Sequence, residues 1–62
     1  MAKFKNGDLV ENVGDRCRSI VVDATLGLVN GEHRIEVIDL EGPGLGVRYV
    51  IRETVLRLVE ER

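Results

Sequence analysis

Asn30 and Gly31 separate two apolar-rich stretches in residues 20–40, Ile20-Val21-Val22-Asp23-Ala24-Thr25-Leu26-Gly27-Leu28-Val29-Asn30-Gly31-Glu32-His33-Arg34-Ile35-Glu36-Val37-Ile38-Asp39-Leu40. An Asn-Gly pair suits the two-residue type I′ turn of a β-hairpin, because both central residues of that turn need positive φ. The sequence therefore predicts a hairpin in which Val29 faces Glu32. If pairing continues outward without interruption, Val21 faces Leu40.

The two faces of this predicted hairpin differ in polarity near the turn. One face collects the apolar side chains of Ala24, Leu26, Ile35 and Val37. The other collects the polar side chains of Thr25, Arg34 and Glu36. Such alternation is typical of a sheet with one buried face and one wet face. The alternation breaks beyond Val37, where Asp39 would point inward while Ile38 and Leu40 point outward, and this predicts a bulge or sharp bend near Ile38.

The rest of the chain predicts further strands around this hairpin. Residues 7–12 predict a first strand, and residues 47–52 alternate apolar side chains with arginines, which predicts a fourth. The segment Glu41-Gly42-Pro43-Gly44-Leu45-Gly46 is too rich in glycine for a regular element and predicts a connector. It is not interpreted as a phosphate-binding loop, because a strand rather than a helix is expected to follow it.

The tail, residues 52–61, has two interpretations. It predicts a one-turn connector before a fifth strand over residues 56–59, whereas a helical stripe of apolar residues is the alternative. With the connector and strand, the elements form an all-β single domain over residues 1–62. This domain is a small five-stranded barrel with a long bent central hairpin and a one-turn 3₁₀ connector before the last strand.

Composition excludes several classes of protein. The 62 residues hold nine basic and eleven acidic side chains, for a net charge of −2, which disfavours a dedicated nucleic-acid binder. One cysteine cannot form an intramolecular disulfide, and no apolar run approaches a membrane span or a signal peptide, so we expect a cytoplasmic protein. Cys17 and His33 are too few for a Cys/His zinc site within one chain. No cofactor is predicted.

Both ends of the chain resemble one group of small barrels. Phe4-Lys5-Asn6-Gly7-Asp8-Leu9-Val10 resembles the "F-x-x-G-D-x-V" start of SH3-like barrels of the KOW and YodC-like kind, and residues 49–59 resemble their close. The resemblance implies the fold and, through the KOW type, nucleic-acid binding. Type II dihydrofolate reductases share the barrel, but the glutamine of their Val-Gln-Ile-Tyr motif is missing from Val47-Arg48-Tyr49-Val50. No enzyme is therefore predicted, and an enzyme on such a barrel is only a remote alternative.

Two kinds of surface residue are candidates for binding. The first kind is arginine, which favours bidentate contacts with phosphate or carboxylate: Arg16, Arg18, Arg34, Arg48 and Arg52. Interspersed glutamates give these arginines an alternative interpretation, a solvated face with cross-strand ion pairs. The second kind is an outer apolar strip formed by Val21, Val29, Val50 and either Ile38 or Leu40, which would mark a partner or self-association surface.

These candidates support two hypotheses of function. The first is a non-catalytic module that binds an unidentified protein or a second copy, using the apolar strip and the loops at residues 13–16 and 42–46. The second is a KOW-type nucleic-acid-binding accessory with Arg34, Arg48 and Arg52 on phosphates, which predicts strong salt dependence. Cys17 is expected to be a packing residue, although neighbouring arginines can activate a thiol, and His33 a half-exposed residue near the hairpin tip.

Overall fold

The computed structural model describes residues 1–59 and is all-β apart from a single 3₁₀ turn. Its strands are β1 (Leu9–Asn12), β2 (Arg18–Asp23), β3 (Leu28–Val29), β4 (Glu32–Asp39), β5 (Arg48–Arg52) and β6 (Leu56–Leu58), with the 3₁₀ helix at Glu53–Val55. Within residues 1–59, no helix has the length and apolar character needed to cross a membrane.

The strands form one curled antiparallel sheet. Strand β4 is central and pairs with β5 on one side and with β2 and then β3 on the other, while β1 joins β2 to β6. The two outermost strands, β5 and β6, are consecutive in the chain and are linked only by the 3₁₀ turn. This link brings the ends of the sheet toward each other, and the resulting half-barrel is compatible with an SH3-like barrel.

The hairpin turn is confirmed at Asn30 and Gly31. Their φ angles are +52° and +81°, as a type I′ turn requires. Val29 pairs with Glu32 and Leu28 with His33, and the Arg34 N–H donates to the Gly27 carbonyl at 3.0 Å. The predicted register therefore holds from the turn as far as Gly27.

Beyond Gly27 the predicted register is wrong. Val21 pairs with Val37 instead of Leu40, a shift of three residues, and the ladder is irregular between Val21 and Asp23. Because side chains alternate along a strand, an odd shift exchanges the two faces of β2. Val21, predicted to point outward, is therefore buried at 1% exposure, and Leu26, predicted to point inward, is exposed.

The irregularity in strand pairing lies in the first arm of the hairpin, between Val21 and Asp23. The bulge or bend predicted near Ile38 is therefore wrong. Strand β4 runs unbroken through Ile38, and the predicted second strand is divided into β2 and β3. Side-chain hydrogen bonds fix the segment that connects β2 to β3. The Thr25 N–H and hydroxyl donate to the Asp23 carboxylate at 2.8 and 2.6 Å, and the Ala24 N–H donates to the Asn6 side-chain oxygen at 2.8 Å. These Thr25 hydrogen bonds also lower the pKa of Asp23. Asp39 does point inward, and its carboxylate accepts hydrogen bonds from the Ser19 and Tyr49 hydroxyls.

The core is assembled from the inner faces of the curled sheet. Its buried members are Phe4, Val10, Val21, Ile35, Val37 and Leu56. The inward placement predicted for Ile35 and Val37 is confirmed, and Tyr49 and Ile51 of β5 pack against the same cluster. In the tail, the connector followed by a strand is confirmed and the helix alternative is wrong. Residues 60–61 of that prediction lie outside the described residues.

Glu53 ties the N-terminal segment to the 3₁₀ turn. Its side chain is buried at 8% exposure, and its carboxylate accepts a hydrogen bond from the Lys3 N–H at 2.7 Å. This contact joins residues at opposite ends of the chain. Phe4, the next residue, contributes its ring to the core. Glu53 therefore holds part of the core in place as well as capping a backbone donor.

Removal of the Glu53 carboxylate is expected to destabilise the protein. We expect Glu53→Ala to lower the free energy of unfolding in urea by about 1–2 kcal/mol, because a charge-assisted hydrogen bond is lost. Glu53→Gln keeps an acceptor oxygen and should lose less. The Lys3 amide should exchange faster with solvent in the alanine variant only. Equal stability of all three proteins would contradict this role.

Candidate interaction surface

Three of the five candidate arginines lie together on one face of the sheet. Since Ile35 and Val37 are buried, the residues that alternate with them face outward. We call this surface the outer face of β4 and β5, and it consists of Arg34, Glu36 and Ile38 on β4 and Arg48, Val50 and Arg52 on β5. Arg34 stands directly opposite Arg52 in the ladder. The outward orientation expected for these three arginines is therefore what the register gives.

The other two candidate arginines are separate from this group. Arg18 begins β2, two strands away from β5, where its partner in the ladder is Glu11 of β1. Arg16 lies in the β1–β2 turn with φ of +62°. Arg57, which was not among the candidates, forms the shortest ion pair of the described residues, with Glu11 at 2.7 Å. Its partner lies on a neighbouring strand distant in sequence, so only the topology could reveal it.

The arginines on the outer face are loosely paired with glutamates. Arg48 lies 3.9 Å from Glu36, and Arg52 lies 3.9 Å from Glu32. Exposed pairs at this separation contribute little free energy. One Glu32 oxygen also accepts the Thr54 hydroxyl at 2.6 Å. Among the described residues, no carboxylate lies within 4.0 Å of Arg34. The face therefore carries three arginines against one glutamate, Glu36, and Glu32 lies at its end beside Arg52.

Apolar side chains on the outer surface are arranged differently from the predicted strip. Val50 is 55% exposed, and Val29 and Leu40 are also exposed, but Val21 belongs to the core. The register places Leu9, Ile20 and Ile38 in one row across three strands, with Arg48 at its end. The predicted apolar strip did not include Leu9 or Ile20. This row was not predicted, because the predicted register assigned Ile20, its middle residue, to the inner face.

Strand β5 is an edge of the sheet and has unpaired donors. Among the described residues it pairs only with β4. The Asp39 N–H donates to the Val47 carbonyl at 3.1 Å, and in an antiparallel ladder the bonded pairs then recur at every second residue. Tyr49 and Ile51 therefore direct their N–H groups to β4. Those of Arg48, Val50 and Arg52 point away from the sheet.

A second polar cluster lies at the end of β4 near the glycine-rich connector. The Ser19 hydroxyl and the Tyr49 hydroxyl both donate to Asp39 Oδ1 at 2.7 Å. Ser19 is only 1% exposed. Burial, followed by the hydrogen bond to Asp39, raises the pKa of Tyr49, so its phenol remains a donor at neutral pH. This cluster supplies hydrogen-bond donors for Asp39, whose inward position the sequence showed only as a break in the alternation.

The glycines of the connector pack closely against these residues. A Cβ at Gly44 would lie 2.5 Å from Asp39 Oδ2, and one at Gly42 would lie 2.8 Å from Cys17 Sγ. A side chain at either position would therefore force the Asp39 or Cys17 side chain to move, and Gly42 also has a φ of +79°, which favours glycine. Burial first, then the charge of Asp15 and its hydrogen bond to the thiol, raise the pKa of Cys17. A raised pKa does not favour the alternative interpretation, activation of the thiol by the neighbouring arginines.

An open pocket of about 490 Å³ lies beside the N-terminal segment. It is lined mainly by apolar and small residues, among them Phe4, Ala24 and Gly27, and by His33. His33 is half-buried near the hairpin tip, as predicted, and its Nδ1 is buried without a hydrogen-bond partner among the described residues. Within residues 1–59, no three His, Cys, Asp or Glu side chains are grouped to hold a metal ion.

No protein-family model matches this chain, and a search of curated proteins gives no significant match.

The raised pKa of Cys17 is open to a direct test. We expect iodoacetamide to alkylate the wild-type thiol slowly at neutral pH, with a midpoint above the ordinary thiol value, because only the thiolate reacts. Asp15→Asn removes a negative charge and should lower the pKa and speed alkylation. Asp23→Asn is the matched control, since Asp23 is not among the groups that raise this pKa. A midpoint in the Asp15 variant equal to or above that of the wild type would contradict the assignment.

Proposed function

We propose that this protein is a non-catalytic protein-binding module that uses the outer face of β4 and β5. The observation that carries the proposal is Val50, an exposed apolar side chain flanked by Arg48 and Arg52 on an edge strand that pairs with β4 alone among the described residues. Protein interfaces commonly have an apolar centre and a polar rim, and arginine is enriched in them. The predicted cytoplasmic location belongs to the same proposal.

The polar cluster supports a binding role over a catalytic one. A serine nucleophile needs a base that accepts its proton and space for a substrate beside its oxygen. Ser19 is almost fully buried, and its partner Asp39 is shared with Tyr49. All three groups are satisfied by one another, which is typical of a structural network.

Nucleic-acid binding is the second candidate, and one observation favours it. Arg34 and Arg52 lie directly opposite each other, and the SH3-like architecture is compatible with the resemblance to KOW and YodC-like barrels. Against it, glutamates lie near Arg48 and Arg52, and the chain has a net charge of −2. A phosphate backbone would place negative charge along the whole face, so it would meet those glutamates as well as the arginines.

A single substitution at Val50 separates these candidates. We expect Val50→Asp to reduce capture of protein partners from the native host at least tenfold, because a charge would be desolvated at the centre of the interface. Leu28→Asp is the matched control, since Leu28 is also an exposed apolar residue, at 64% against 55% for Val50, but lies in β3 at the hairpin tip. Circular dichroism should show both variants folded.

Quantitative mass spectrometry of the captured proteins gives the result. Proteins retained by the wild type and Leu28→Asp but lost with Val50→Asp would support the proposal. Equal retention by Val50→Asp would overturn it. Retention that disappears on nuclease treatment and falls steeply with added salt would favour the nucleic-acid candidate instead.

A further inference from the structure

We propose that the partner adds an extended strand to β5, with an acidic residue opposite Arg48, an apolar residue opposite Val50 and an acidic residue opposite Arg52. This inference rests on the proposed function, because it names the partner of the same surface. Addition of a strand to an exposed sheet edge is a recurring mode of peptide recognition, in which the main chain gives affinity and alternate side chains give specificity.

The backbone supplies the first reason. The N–H groups of Arg48, Val50 and Arg52 point away from β4, and β5 has no second neighbour among the described residues. An antiparallel strand would form its bonded pairs at those same three residues. Their side chains all lie on the outer face, so the partner residues opposite them also face outward.

Charge supplies the second reason. Arg48 and Arg52 have side chains that are 60% and 56% exposed, and their present carboxylate partners are 3.9 Å away. Each guanidinium carries five N–H donors, so capacity remains for a carboxylate on the partner strand. Opposite charges directly across two strands are favourable, and like charges are unfavourable.

The same charges disfavour a second copy of this chain as the occupant. An antiparallel pair of β5 strands centred on Val50 would place Arg48 opposite Arg52 at both ends. Both positions would then hold like charges, which is a common way for proteins to prevent self-pairing at an edge. Strand β6, the other edge, has Arg57 on its outer side and no acidic residue within Leu56–Leu58. An acidic strand from another protein therefore fits best.

Capped synthetic peptides test this directly by NMR titration of the full chain. The acidic peptide is Thr-Glu-Thr-Val-Thr-Glu-Thr, and its matched control has lysine in place of both glutamates. A third peptide keeps the acidic sequence but is N-methylated at the central valine, which removes a strand donor. We expect the acidic peptide to bind at least tenfold more tightly than the other two, with the largest shifts at the β5 amides.

Charge reversal distinguishes strand pairing from general attraction. The double variant Arg48→Glu and Arg52→Glu should prefer the lysine peptide, whereas Arg57→Glu, at the other edge, should keep the preference of the wild type. Equal binding of the acidic and lysine peptides, indifference to N-methylation, or no binding would overturn the inference. If Val50-dependent partners are still captured in that case, the protein-binding function stands and only the strand pairing fails. If Val50→Asp loses no partner, the function itself fails.

Discussion

The pairing of Val21 with Val37 is the contact on which the rest of the structure depends. It brings β2 against β4 in the register that buries both valines, together with Ile35 and Val10. So short a chain has few side chains to bury, and the loss of one would expose a large share of the core. The β2–β4 register differs from the β3–β4 register that the tight turn at Asn30 and Gly31 sets. The irregularity after Val21 allows both registers to form in one sheet.

Features determined by neighbouring residues could be predicted from the sequence. The turn at Asn30 and Gly31, the alternation along β4 and the 3₁₀ connector depend on local backbone preference and on side-chain period. The register beyond Gly27 could not be predicted, because Asn6 and Asp23 hold the intervening segment through contacts that are partly distant in sequence. This one error misplaced Val21 and Leu26 and hid the row that contains Ile20.

The candidate surface also has features that the sequence could predict and features that depend on distant contacts. The alternation of side chains along a strand was enough to predict that Arg34, Arg48 and Arg52 point outward, because each lies next to an apolar residue that points inward. That β5 is an edge could not be read from its own residues, since this depends on the order of strands in the whole sheet. Likewise, the partners of Asp39 come from β2 and β5, so its inward position was seen in the sequence only as a defect in the pattern.

Strand β5 has one side paired with β4 and, within residues 1–59, one side free. Amide hydrogen exchange of the dilute protein, resolved by residue, distinguishes the two sides. Slow exchange at Tyr49 and Ile51 together with fast exchange at Arg48, Val50 and Arg52 is the predicted result. Protection of all five amides would contradict it, because the edge would then already be occupied by another part of the chain or by a second copy.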